Sequence, residues 1–190
     1  KRQVKEEITH NIATIGENMM LRRMKNIKVN KGAIVSYVHN ATAEGMGRIG
    51  VLVALESDLK IDILNDVGKQ IAMHVAATKP VSLSVEDLDP SIVQREREVL
   101  IEQAKQSGKP QEIAEKMVEG RVRKFYQEVV LLEQTFVIDG ESKVADVLKK
   151  IAHEAGGEIV LKEFGLFVLG DGIEKEETDF AAEVAAQLNK

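Results

Sequence analysis

All three prolines of this 190-residue chain lie between positions 80 and 110, and their placement constrains the fold more than any other feature. Pro90 follows Asp89 and suits the first position of a helix, where its missing N–H costs nothing. The helix it opens, over residues 91–106, is rich in Glu, Gln and Arg. Ser107-Gly108-Lys109 makes a tight break, and Pro110 opens a second helix to about Phe125. Two helices joined so closely must lie antiparallel. Their apolar residues are few: Ile92, Val93, Val99, Leu100 and Ala104 on the first, Ile113, Met117, Val118 and Val122 on the second. That is a narrow seam, too little for a globular core. Residues 85–127 are therefore expected to project from the body as a helical hairpin.

The rest of the chain must supply the body. Val4, Ile8, Ile12 and Ile15 form an apolar stripe at helical spacing, already under way when the chain begins at Lys1. That start reads as a cut, or a processed end, just before or inside a helix. Gly16-Glu17-Asn18 breaks the pattern, and residues 19–29 carry scattered β-formers. Residues 33–39 and the nearly continuous apolar run 49–55 read as strands, the latter buried on both faces. Ile61, Leu64, Gly68, Ile71 and Val75 return to helical spacing until Pro80.

Beyond the hairpin, residues 129–138 look strand-like and Asp139-Gly140 signals a turn. Ser142 is placed to cap a helix carrying Val144, Val147, Leu148 and Ile151. Gly156-Gly157 ends that helix, and residues 159–169 read as one or two strands with a bend near Gly165. A final helix from Thr178 carries Phe180, Val184 and Leu188 on one stripe. The expected class is α+β: two small lobes with antiparallel sheets and packed helices, an inserted antiparallel helical hairpin and a C-terminal helix. The expected boundaries are residues 1–70 for the first lobe, 71–84 with 128–170 for the second, 85–127 for the hairpin and 171–190 for the C-terminal module.

Composition narrows the function. Hydrophobic residues make up 44% and charged residues 30%, with no tryptophan, so an aliphatic core is required. The absence of cysteine excludes disulfides, thiolate metal sites and Cys nucleophiles. A net charge of -5 provides no global attraction to nucleic acid or an anionic membrane. No apolar run reaches the roughly 20 residues of a membrane helix, and no signal peptide is visible. A cytoplasmic protein without a cofactor is expected.

Each chemical motif has a plainer explanation beside it. Gly45-Met46-Gly47-Arg48-Ile49-Gly50 fits G-x-G-x-x-G, but that dinucleotide fingerprint needs a helix after it. The apolar run 51–55 comes next instead, so a glycine-rich hairpin turn is expected. His10, His39, His74 and His153 lack the spacing of a helical metal pair. His74 stands in a small-residue apolar helix and, on that evidence alone, reads as a histidine at the edge of the core. Serines lack a nucleophile-elbow context, and nothing proposes a covalent reaction. Residues 1–31 hold eight Lys/Arg against three Asp/Glu, and Arg121, Arg123 and Lys124 cluster. These support an RNA- or ribosome-binding module as the alternative. The hairpin's narrow seam also leaves ridges on which a second copy could pack as a homodimer.

Residues 71–80 (Ile-Ala-Met-His-Val-Ala-Ala-Thr-Lys-Pro), 107–121 and 172–186 each resemble signatures of the bacterial translation elongation factor Ts family. Ile15-Gly16-Glu17-Asn18 with Arg22-Arg23, and Arg48-Ile49-Gly50-Val51, fit the segments between, so the likeness covers nearly the whole chain in order. The resemblance implies guanine-nucleotide exchange without covalent chemistry. The family binds elongation factor Tu, expels GDP and lets GTP enter, and does not itself hold the nucleotide.

Carried over residue by residue, it places Ile49 and Gly50 at the end of a central strand, with the glycine permitting close approach of Tu. His74 becomes a contact from its helix, Val137 and Ile138 apolar anchors on another Tu domain, and Phe180 and Val184 either a tail-helix contact with the nucleotide domain or the stripe by which that helix docks on its own body. The family also carries an N-terminal ubiquitin-associated-like domain and a Thr-Asp-Phe-Val segment, which do not precede Lys1 here. Exchange by this chain alone is expected to be crippled while some Tu binding survives.

Overall fold

The computed structural model describes residues 2–106 and 110–173. The Ser107-Gly108-Lys109 break and the expected C-terminal helix, with Phe180 and Val184, lie outside the described residues. Among those described, five α-helices and one three-stranded antiparallel sheet form an α+β fold, as the sequence led us to expect.

Helix α1 (Val4–Ile15) ends at Gly16, whose φ of 79° permits the left-handed turn that stops it. Strand β1 (Gly32–Ala43) turns at Glu44-Gly45 into β2 (Met46–Glu56), so the G-x-G-x-x-G match is indeed a hairpin feeding a strand. Helix α2 (Ile61–Thr78) comes next and is stopped by Lys79 in the left-handed conformation, just ahead of Pro80. Helix α3 (Pro90–Gln106) begins at its proline as expected, with the Asp89 carboxylate accepting the Ser91 N–H at 2.9 Å. Helix α4 (Gln111–Val129) returns antiparallel to it, and Leu100, Ala104, Val118 and Val122 form the seam. Val99 and Ile113 are left outside the seam and exposed, since one helical stripe faces the partner helix and the others face water.

After α5 (Val144–Ala155), strand β3 (Val160–Val168) pairs antiparallel with β2, giving the order β1-β2-β3. The strand expected at the far end of the chain therefore joins the sheet begun by residues 32–56. Val51, Val53 and Leu55 point from β2 onto Leu64, Val67, Ile71 and Val75 of α2. Leu131, Phe136, Val144, Leu148 and Leu161 enter the same core. Gly68 makes this contact close: a Cβ there would stand 2.5 Å from Val35 Cγ2, so only glycine lets helix and sheet meet.

Several expectations require correction. Residues 19–29 form no strand. They cross the second sheet face as an irregular segment, held by the Lys25 ammonium on the Phe164 carbonyl (2.9 Å) and by Ile27 packed over Gly165. Gly165 makes no bend; β3 is continuous, and its pairing irregularity lies opposite Ala54 and Leu55. Residues 129–138 are not a strand either. Val129 ends α4, residues 131–133 form a 3-10 turn, and only the isolated bridges Ser82↔Val130 and Thr135↔Lys143 remain. The reason is local: the Asp139 carboxylate accepts the N–H groups of Glu141 (3.0 Å) and Ser142 (3.1 Å), folding the chain back through Gly140. Ser142 belongs to that turn and does not cap α5, whose cap position is Lys143.

Candidate partner-binding surfaces

Strand geometry separates Ile49 from Gly50. Neighbouring side chains in a strand point to opposite faces. Ile49 pairs with His39 and Val168 and packs against the main core, half-buried. Gly50, between Val38 and Phe167, faces the other side. A Cβ built on Gly50 meets nothing within 4 Å, whereas one on Gly47 would strike Val38 Cγ1 at 2.5 Å. Gly47 and Gly68 are required by internal packing; Gly50 is not. A glycine in mid-strand costs stability, so the open space over Gly50 stands without an internal reason.

That space is part of a groove of about 440 Å³ whose lining includes Met20, Met46, Gly50, Leu169 and Ile173. Met20, Met46 and Leu169 are largely exposed, as are Leu21 and Met24 of the segment 19–29. Flexible methionine side chains in the open make an adaptable apolar surface. Sequence reasoning missed these residues, because a methionine in an irregular segment carries no periodic signal. The separation of Ile49 from Gly50, by contrast, was implicit in the strand assignment.

His74, which the resemblance implies is a contact, is 0% exposed in the free chain. The Val137 N–H donates to its Nδ1 at 3.2 Å. The ring must then carry its proton on Nε2, which donates to Gln134 Oε1 at 2.9 Å. The Phe136 ring lies against it, with centroids 5.6 Å apart. Burial holds its pKa below the usual 6.5, partly opposed by the bond to Gln134. Just beyond Phe136 the chain emerges: Val137 is 48% and Ile138 51% exposed, side by side at a tight turn. The structure thus joins His74 to Val137 and Ile138 as support and tip of one corner, apart from the Gly50 strand.

Several basic residues of the N-terminal stretch make contacts within the molecule. Arg23 pairs with Asp171 (2.6 Å), Lys25 with Glu163 (2.7 Å) and Lys31 with Asp58. Arg22 donates to the Asp171 carbonyl at 3.2 Å, and Arg121 to Gln103 at 2.6 Å. The ion pairs are exposed, of the kind that contribute little to stability. Among the described residues no buried side-chain polar atom lacks a partner, no acidic or histidine cluster could hold a metal ion, and no helix is long and apolar enough to cross a membrane.

Fold and surfaces together define an α+β body with an inserted helical hairpin, marked by exposed apolar ground around Gly50 and at the Val137–Ile138 corner. The family model described as elongation factor TS matches residues 1–171. The elongation factor Ts of Gluconobacter oxydans is 60% identical over 185 residues, covering 97% of this chain and 59% of that protein. That of Rhodospirillum rubrum is 58% identical over 189 residues, covering 100% of this chain and 61% of the relative. The chain belongs to the elongation factor Ts family, and spans about three fifths of the length of the curated relatives it matches.

Proposed function

We propose that this chain carries a cytoplasmic nucleotide-exchange function in translation: it binds elongation factor Tu, in its GDP-bound and nucleotide-free states, and promotes GDP release and GTP rebinding without covalent chemistry. The observation that carries the proposal is Gly50. A mid-strand glycine with open space above it, bordered by Met20, Met46 and Leu169, supports close approach of a partner's backbone. The chain's similarity to proteins named elongation factor Ts supplies the partner.

The physical logic is linkage. A protein that binds the nucleotide-free state more tightly must weaken nucleotide binding by the same factor. A 10,000-fold effect requires on the order of 5.5 kcal/mol of differential binding, within reach of an ordinary protein interface. The Gly50 groove would meet one part of Tu and the Val137–Ile138 corner another, with Ile49 stiffening the strand from beneath. Phe180 and Val184, outside the described residues, are proposed as a third contact. The hairpin carries the exposed side chains Val99, Ile101 and Ile113 and is proposed as a self-association surface, checked by sedimentation of the free chain.

The test is release of fluorescent GDP from elongation factor Tu, with and without the chain at micromolar concentration. Binding with acceleration weaker than that given by a full-length relative is the expected result. Binding without acceleration would assign exchange to parts of the relatives beyond this chain, and absence of binding would overturn the proposal.

A further inference from the structure

Gln134 is only 3% exposed, yet its amide joins three parts of the molecule. Its Oε1 accepts from His74 Nε2 (2.9 Å) and from the Thr78 hydroxyl (3.0 Å), both on α2. Its Nε2 donates at 2.8 Å to the carbonyl of Glu128. That carbonyl lies in the last turn of α4, where no intrahelical N–H can reach it. Its backbone carbonyl accepts the Val144 N–H that opens α5, at 3.0 Å. From His74 the chain of bonds continues through Nδ1 to the Val137 N–H. The root of the hairpin is pinned in the same place, since the Val129 carbonyl accepts the Val81 N–H (2.8 Å) and the Leu131 N–H donates to the Ser82 carbonyl (2.9 Å).

We infer that His74 and Gln134 are positioning residues that lock the Val137–Ile138 corner to α2 and to the root of the helical hairpin, so that corner and hairpin keep one fixed relation. The polarity of the ring and the Gln134 amide has a single solution, while the one Thr78 hydroxyl proton is shared between Gln134 Oε1 and the His74 carbonyl. The Val137 N–H can only donate, so Nδ1 must accept, Nε2 must donate, and Gln134 must present its oxygen to the ring and its NH₂ to Glu128. Each of these polar atoms is used, so removing one member leaves others unpaired in a dry site. The exposed apolar side chains at the tip make no comparable bonds of their own, and their place is set from behind. Only the link from corner geometry to affinity rests on the reading of the corner as a Tu contact.

The test needs the whole chain, and its first arm needs no variant. A ¹⁵N spectrum of the wild-type histidines should show His74 as the Nε2–H tautomer; the Nδ1–H tautomer would overturn the lock. The second arm compares His74→Gln, whose amide can reach Gln134 but not Val137, with His74→Asn, whose oxygen can stand near the Nδ1 position. Amide exchange at Val137 should be faster by on the order of tenfold or more in H74Q, as expected for an unpaired buried donor, and partly restored in H74N, which regains the Val137 bond but not the one to Gln134. Gln134→Met, which touches neither Val137 nor Ile138, should quicken the same amide. Unchanged Val137 exchange in folded H74Q and Q134M, or no rescue by H74N, would overturn the inference. Affinity for elongation factor Tu should fall with the exchange change; faster exchange at unaltered affinity would uphold the lock and remove the corner from the Tu interface.

Discussion

Replacing Gly50 by alanine should stabilise this protein and weaken its attachment to elongation factor Tu. The residue lies in the interior of β2, paired with Val38 and Phe167, and a methyl group added there would have no neighbour within 4 Å. Glycine in a strand is less stable than alanine by roughly 0.5–1 kcal/mol, because more backbone freedom is lost on folding. In a chain of this size 1 kcal/mol moves Tm by about 2–4 °C, so G50A should melt about 1–4 °C higher. The same methyl would stand where a partner's backbone must come close. Overpacking a close contact costs about 1–3 kcal/mol, so Tu affinity should fall by about tenfold, and further for Gly50→Val. Differential scanning calorimetry of the free chain, with titration of Tu and fluorescent-GDP release, reads both effects on one preparation. A fall of several degrees in Tm would show that the space over Gly50 is not free. A rise in Tm with undiminished binding would show that the space is not where Tu approaches.

The remaining expectations rest on the same geometry. Gly68→Ala should destabilise by about 1–3 kcal/mol through the clash with Val35, against roughly 1 kcal/mol gained in helix propensity, and urea denaturation would show the net loss. Ile138→Asp, at an exposed position, should change stability by less than about 0.5 kcal/mol while weakening Tu binding, measurable by calorimetric titration. Because burial lowers the pKa of His74 in the fold, the unfolded chain binds its proton more readily below pH 6.5. Stability should therefore decline as pH falls from 6.5 toward the depressed folded value, and His74→Asn should flatten that slope in denaturant melts from about pH 7.5 to 5. Asp89, Asp139 and Asp171, held below the usual 3.8 by hydrogen bonds from Ser91, Glu141 with Ser142, and Arg23, lose their contribution only in more acidic solution. Leu100→Ala should cost about 2–5 kcal/mol at the hairpin seam and loosen α3 and α4 in hydrogen exchange before the sheet.

Much of this fold is written in short stretches of the chain. The apolar spacing of α2, the prolines before and within the hairpin, and the left-handed stop at Gly16 act within a few residues, and each helix stands close to its expected bounds. The rejection of the dinucleotide motif succeeded for the same reason, since the strand that continues from Gly50 is legible in the five adjacent letters, Val51 to Leu55. Residue pairings across long separations were another matter. Val160 to Val168 read correctly as a strand, but its partner is β2, more than 100 positions earlier, and hydrophobic alternation names no partner. The run at 129–138 has strand-forming letters, yet the Asp139 turn and the descent of Leu131 and Phe136 into the core override them.

The candidate sites divide in the same way. Sequence alone carried the helical hairpin and, through the signature residues, the likeness to the family. Tertiary structure decided which of those residues face out. It turned Ile49 and Gly50 to opposite faces, drew His74 wholly inside, and left Val137, Ile138 and a group of methionines in the open. It also revealed Gln134, a lone polar letter that becomes the joint between α2, α4 and the corner. The cause is the range over which each force acts. Helix propensity, capping and turns are decided among neighbours in the chain, whereas burial and the pairing of buried polar groups depend on segments that meet only once the sheet has formed.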